Sequence, residues 1–174
     1  MSHSQLEALM AAHNEATGEH FEVVWDPVDA AATNAEAEAH SFALPTLDGT
    51  DFRFTPGEQP AVIAFWASWC APCVAEAPHL ARLHGELGER VQFAGVSVDE
   101  PAHHGKLKAM VKRMALPYPI PLDADGSVYA TFNPGGSIPY TVVIDAAGAV
   151  TYVSTNFEEG DEVKLEAAIR AVAK

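Results

Sequence analysis

The chain has little cysteine, no basic residue near its start and no long apolar run. Cys70 and Cys73 are its only cysteines, so at most one disulfide can close within it. No stretch of 18 or more consecutive apolar residues occurs, and no segment therefore reads as a membrane-spanning helix. The first Lys or Arg is Arg53, which leaves no positive n-region for a secretory signal and no arginines for a transit peptide. A cytoplasmic chain is the expectation, with an extracytoplasmic one as the alternative if an export signal has been removed. No G-x-G-x-x-G follows any strand-like run, so no flavin or NADPH site is expected.

Charge divides the chain. There are 24 acidic and 10 basic side chains, for a formal charge of −14. A field of that sign repels nucleic acid and anionic lipid, and neither is expected as a partner. Eight of the acids lie in residues 1–40, which leaves only −6 on the rest. We therefore read 1–40 as an acidic N-terminal extension and 41–174 as one domain. A chain of 174 residues with 48% hydrophobic content supports one well-buried core, and a monomer is expected.

In the extension, Leu6, Leu9, Met10 and His13 are at helical spacing after Ser4 and Glu7, which form a capping box; Gly18 stops the run. Phe21–Trp25 reads as a short strand. This segment can pack through Leu6, Leu9, Phe21, Val23 and Trp25, or dock a partner. Phe42–Leu47 and Asp51–Phe54, joined across Asp48-Gly49-Thr50, predict a β-hairpin. Ala61–Trp66 is an unbroken apolar run of strand length, as in a strand covered on both faces. A helix is expected over 72–87, kinked at Pro78, with Leu80, Leu83 and Leu87 on one stripe. A strand over 91–98, a helix over 102–115, a very short strand at 120–122 and a helical turn at 126–132 follow. A second hairpin (141–144 and 149–154) and a closing helix over 161–173 complete the order. The order predicts an α/β sandwich with a mixed central sheet.

The chemistry concentrates in Trp69-Cys70-Ala71-Pro72-Cys73, between the apolar strand and the helix. At a helix start, unpaired N–H groups and the helix dipole stabilise a thiolate, lowering its pKa from ~8.5 toward neutrality. Cys70 should be the more acidic and more exposed thiol, and Cys73 the one that closes the disulfide. A zinc site would need four ligands; a second cysteine pair is absent, and His103 and His104, being adjacent, diverge on a helix. A redox-active dithiol is the reading adopted, with no metal and no cofactor beyond the Cys70–Cys73 disulfide.

Phe65-Trp66-Ala67-Ser68-Trp69-Cys70-Ala71-Pro72-Cys73, Glu76, Pro78, Ile138-Pro139-Tyr140-Thr141-Val142-Val143-Ile144-Asp145 and Gly148 together resemble the thioredoxin superfamily, specifically its TlpA/ResA-like thiol-disulfide oxidoreductases. The resemblance covers about residues 41–174. It implies a thioredoxin-like sandwich with an N-terminal hairpin, and a cis bond before Pro139 that leaves Ile138 free to pair with an extended substrate. Trp66 and Trp69 would wall an apolar rim beside Pro72. Many thioredoxins carry a buried Asp six residues before the first cysteine; Ala64 stands there. Glu76 matches a glutamate of the TlpA/ResA-like branch and would accept the proton of Cys73, its pKa raised by burial. Phe132-Asn133-Pro134-Gly135-Gly136-Ser137 departs from the more frequent Tyr-Gly-Val-x-Gly, which bears on partner choice. His79 and His84 read as surface residues.

The expected activity is reduction of protein disulfides, with an upstream thiol reductant resetting the dithiol. Ala71-Pro72 is closer to the reducing Gly-Pro type than to Pro-His. Alternatives are a disulfide-forming oxidant and a peroxiredoxin-like antioxidant peroxidase, although the latter's Thr-x-x-Cys would require Thr at position 70.

Overall fold

A computed structural model describes residues 38–174. The helix and strand expected within 4–25, and most of the stretch before the domain, lie outside the described residues. Ala39 and His40 pack onto the domain, His40 edge-on to Phe132.

β1 (Phe42–Pro45) and β2 (Asp51–Phe54) form the first hairpin, with Phe42 opposite Phe54. β3 (Ala61–Trp66) is buried at every position. It lies between parallel β4 (Gln92–Ser97) and antiparallel β5 (Tyr140–Ile144), and β6 (Val150–Ser154) completes the sheet in the order β4-β3-β5-β6. The helices are α1 (Ala71–Leu87), α2 (His104–Met114), α3 (Ser127–Phe132) and α4 (Asp161–Val172). α1 runs on through Pro78 as one element. α2 ends before the proline-rich run because Ala115 takes a left-handed conformation, φ 50°, and the segment expected as a strand at 120–122 makes only isolated bridges.

Strand periodicity builds the two cores. Val62, Ala64 and Trp66 of β3 join Leu80, Leu83 and Leu87 of α1, Leu107 of α2, and Leu165 and Ile169 of α4. Ala61, Ile63 and Phe65 point the other way, against Phe52 and Phe54 of the hairpin and Phe132 of α3. Across the exposed rim, Arg82 of α1 bonds Glu86 at 2.9 Å and also Glu166 of α4, while Arg170 of α4 bonds Glu86 at 2.5 Å and Glu166 at 2.8 Å. Exposed pairs of this kind contribute little singly; here four charges share the work of fixing α4 against α1.

The outer edge of β4 is covered by the segment after α2. Gly95 N–H donates to Pro119 O (3.0 Å) and Ser97 N–H to Pro121 O (2.8 Å). On the other side of that segment, Leu47 N–H donates to Ile120 O and Leu122 N–H to Pro45 O, both at 2.9 Å. The segment thereby ties the hairpin to the main sheet and removes an open strand edge.

Gly95 permits this closure. A Cβ there would lie 2.8 Å from the Tyr118 ring and 3.1 Å from the Trp66 indole nitrogen, both buried. Gly95→Ala is expected to lower stability by about 1–3 kcal/mol, the range for an overpacked core. Denaturant midpoints measure it; an unchanged midpoint would mean that Tyr118 is free to move aside.

Candidate active site: the Cys70–Cys73 pair and Glu76

β3 and β4 run parallel and end at the same sheet edge, where α/β folds carry their sites. The loop leaving β3 there is held by Asp99, fully buried just beyond β4. Asp99 accepts from Ser68 N–H (2.8 Å), Ser68 Oγ (2.6 Å) and Ser97 Oγ (2.9 Å). Val98 N–H also donates to Trp66 O at 2.9 Å. These bonds fix the chain two residues before Cys70. Nothing local in the sequence marks Asp99 as the anchor of a loop 31 residues away.

Cys70 is the N-cap of α1, in extended conformation (φ −90°, ψ 106°), and its sulfur accepts from Cys73 N–H at 3.3 Å. Pro72 fits in the first turn, where N–H groups have no partner within the helix. Cys70 and Cys73 are joined in a disulfide with Cα atoms 5.3 Å apart. Both are buried, Cys70 at 6% exposure and Cys73 at 2%. Trp69 beside them is 61% exposed. Trp66 is different: it lies in the core with its indole N–H donating to Gly95 O at 3.1 Å, so it does not wall a rim as expected. The rim role came from the resemblance; the absent Cβ of Gly95 leaves room for the indole inside.

The Ile138–Pro139 peptide bond is cis. Phe65 pairs with Tyr140 across β3 and β5, so Pro139, one residue earlier, lies at the same sheet edge as the loop into Cys70. Upstream, Ser137 O accepts from Tyr129 OH and from Asn133 Nδ2, both at 2.8 Å. The Asn133–Ser137 loop is thus pinned by its own Asn133 and by Tyr129 of α3, which nothing in the sequence marked.

Glu76 lies one turn beyond Cys73 on the same helix face. It is 2% exposed, and Thr141 Oγ1 donates to its Oε1 at 2.8 Å. Burial pushes its carboxyl up to about 7, an effect partly offset by the Thr141 hydrogen bond. Thr141 was not singled out in the sequence; its signal was a polar residue inside the apolar run Tyr140–Ile144. His79 and His84 are half-buried, not free surface residues. His79 packs on Phe157, while His84 meets Phe93 and Tyr118, and burial lowers the pKa of His84.

Fold and site together define a thioredoxin-like thiol-disulfide oxidoreductase. Residues 35–153 match the AhpC/TSA family model, and the chain belongs to that family. Thiol-disulfide oxidoreductase ResA of Halalkalibacterium halodurans is 30% identical over 129 residues, spanning 73% of this chain and 72% of that protein. The crystal structure of a secreted Mycobacterium tuberculosis disulfide oxidoreductase, described as homologous to E. coli DsbE, is 29% identical with a TM-score of 0.65, over 75% of this chain and 95% of that one. A thiol:disulfide interchange protein of Chlorobium tepidum shares the fold at 23% identity and a TM-score of 0.68, over 79% and 97% of the two chains. Among the described residues, no helix is long and apolar enough to cross a membrane.

In the oxidised protein Glu76 holds its proton more tightly than in the unfolded chain, where its value is 4.5. Its contribution to stability is therefore complete below about pH 4.5 and is lost as pH rises through about 7, amounting to about 3 kcal/mol. Unfolding of the oxidised wild type should show this decline between those limits, and Glu76→Gln should lack it. Parallel curves for the two proteins would mean that the carboxyl is not shielded from water.

Proposed function

We propose that the chain reduces disulfides of partner proteins through Cys70 and Cys73, with Glu76 as proton acceptor. The Cys70 thiolate attacks one sulfur of the partner disulfide, forming a mixed disulfide and releasing the other partner sulfur as thiolate. The Cys73 thiol passes its proton to the Glu76 carboxylate and attacks Cys70 Sγ. The mixed disulfide breaks, the second partner thiolate leaves, and the Cys70–Cys73 bond closes. Two electrons have then passed to the partner, and an upstream thiol reductant returns them to the dithiol.

The observation that carries this reading is the disulfide across the first turn of α1 with a buried carboxyl one turn further on. The helix start favours thiolate at Cys70. The exposed Trp69 and neighbouring Pro72 offer apolar surface, and the cis turn at the buried Pro139 leaves the Ile138 backbone to pair with an extended partner segment. Ala71-Pro72 supports the reducing direction. Cys73, buried and bonded to Cys70, supports disulfide exchange over a peroxidase, whose attacking sulfur must meet peroxide directly. The secreted M. tuberculosis relative supports the extracytoplasmic alternative over a cytoplasmic location.

The equilibrium potential of the pair in dithiothreitol or glutathione buffers tests the direction. A value near or below about −250 mV is expected, whereas about −150 mV or above would overturn the reductase in favour of disulfide formation. Peroxide consumption by the reduced protein at a rate matching its disulfide exchange would instead establish the peroxidase.

A further inference from the structure

Thr141 stands where two parts of the site meet. It lies on β5 two residues after cis Pro139, and it pairs directly with Ala64 of β3. Its fully buried hydroxyl makes the one hydrogen bond that Glu76 receives among the described residues. An ionised carboxylate can only accept hydrogen bonds, so in that state Thr141 must be the donor. The protonated carboxyl depends on it less, because it has shed the charge that burial penalises. Thr141 therefore favours the ionised form selectively.

We propose that Thr141 is a positioning residue that sets the pH at which Glu76 takes the Cys73 proton, acting from the strand that directly follows the residues offered to the substrate. This rests on the reading of Glu76 as acceptor. The other titratable side chains whose charge couples to Glu76 are Tyr118, after α2, and Tyr152, on β6. Burial raises both above their ordinary value of 10, so both are neutral over the range concerned. Cys73, one turn back on α1, is the remaining ionisable neighbour once the disulfide is reduced.

The test uses Thr141→Val, which keeps the shape and removes the donor, and Thr141→Ser, which restores the donor, with Glu76→Gln alone and combined with Thr141→Val. Reduced protein is mixed with oxidised glutathione, and the second step, release of glutathione from the mixed disulfide, is followed between pH 5.5 and 9. In parallel, the Glu76 carboxyl carbon is titrated by NMR in the oxidised protein. Thr141→Val should move both inflections up by about one pH unit, slowing the second step about tenfold at pH 6 and hardly at all at pH 9. Thr141→Ser should restore the wild-type profile, and Thr141→Val should add nothing in the Glu76→Gln background.

Unmoved inflections in Thr141→Val, with the rate inflection abolished in Glu76→Gln, would overturn the role of Thr141 while sparing that of Glu76. A rate inflection that survives in Glu76→Gln would remove the acceptor itself and this inference with it. A uniform rate loss at all pH values, with the carboxyl titration unmoved, would reduce Thr141 to a packing residue.

Discussion

β3 has to be covered on both faces, and most of the architecture answers that requirement. Its six residues are all buried, with Val62, Ala64 and Trp66 facing one way and Ala61, Ile63 and Phe65 the other. One layer of helices can satisfy only one face. The apolar side chains of α1, α2 and α4 cover the first, and the β1–β2 hairpin together with α3 supplies the second. Because β3 is central, its end is buried as well, and the chain must leave it through an enclosed loop. Backbone polar groups in such a loop need partners, which is the task Asp99 performs at Ser68.

Two buried carboxylates thus lie near the same sheet edge with different numbers of donors. Asp99 accepts three hydrogen bonds from Ser68 and Ser97, and Glu76 accepts one from Thr141. A carboxylate surrounded by donors is a structural anchor. One with a single donor in a water-poor site is poised to exchange its proton near neutrality. The helix start adds an opposite influence at Cys70, where the sulfur already occupies the N-cap and accepts from Cys73 N–H. Stabilisation of negative sulfur at Cys70 and of a neutral carboxyl at Glu76 are separated by less than two helical turns, an arrangement that suits ordered transfer from thiol to carboxylate.

What could be read from the sequence was what depends on local pattern. The unbroken apolar run of Ala61–Trp66 announced a strand covered on both faces, and Asp48-Gly49 and Gly148 marked the two hairpins. Cys70, Cys73, Glu76 and Pro139 stood out because their residue types carry chemistry or family pattern. Trp66 was misread because its place depends on Gly95, 29 residues later, which opens the gap its indole fills. Asp99 and Thr141 were illegible for a related reason. Their partners, Ser68 and Glu76, are distant in sequence, and a polar residue at the end of a strand or inside one gives no local sign of what it will meet across the sheet.

Many thioredoxins carry a buried carboxylate on β3 at the position of Ala64; here the strand offers only a methyl group there, and the buried carboxylate nearby comes from α1. A strand residue is held by its ladder, but Glu76 reaches the interior on a longer side chain and needs a separate hold. β5 provides it, since Thr141 is the residue directly opposite Ala64. With Glu76 read as the proton acceptor, moving the carboxylate from strand to helix passes control of its proton to β5, whose first residues follow Ile138 and Pro139. On the same reading, the backbone offered to a substrate and the hydroxyl bonded to Glu76 belong to one short stretch of chain, from Ile138 to Thr141.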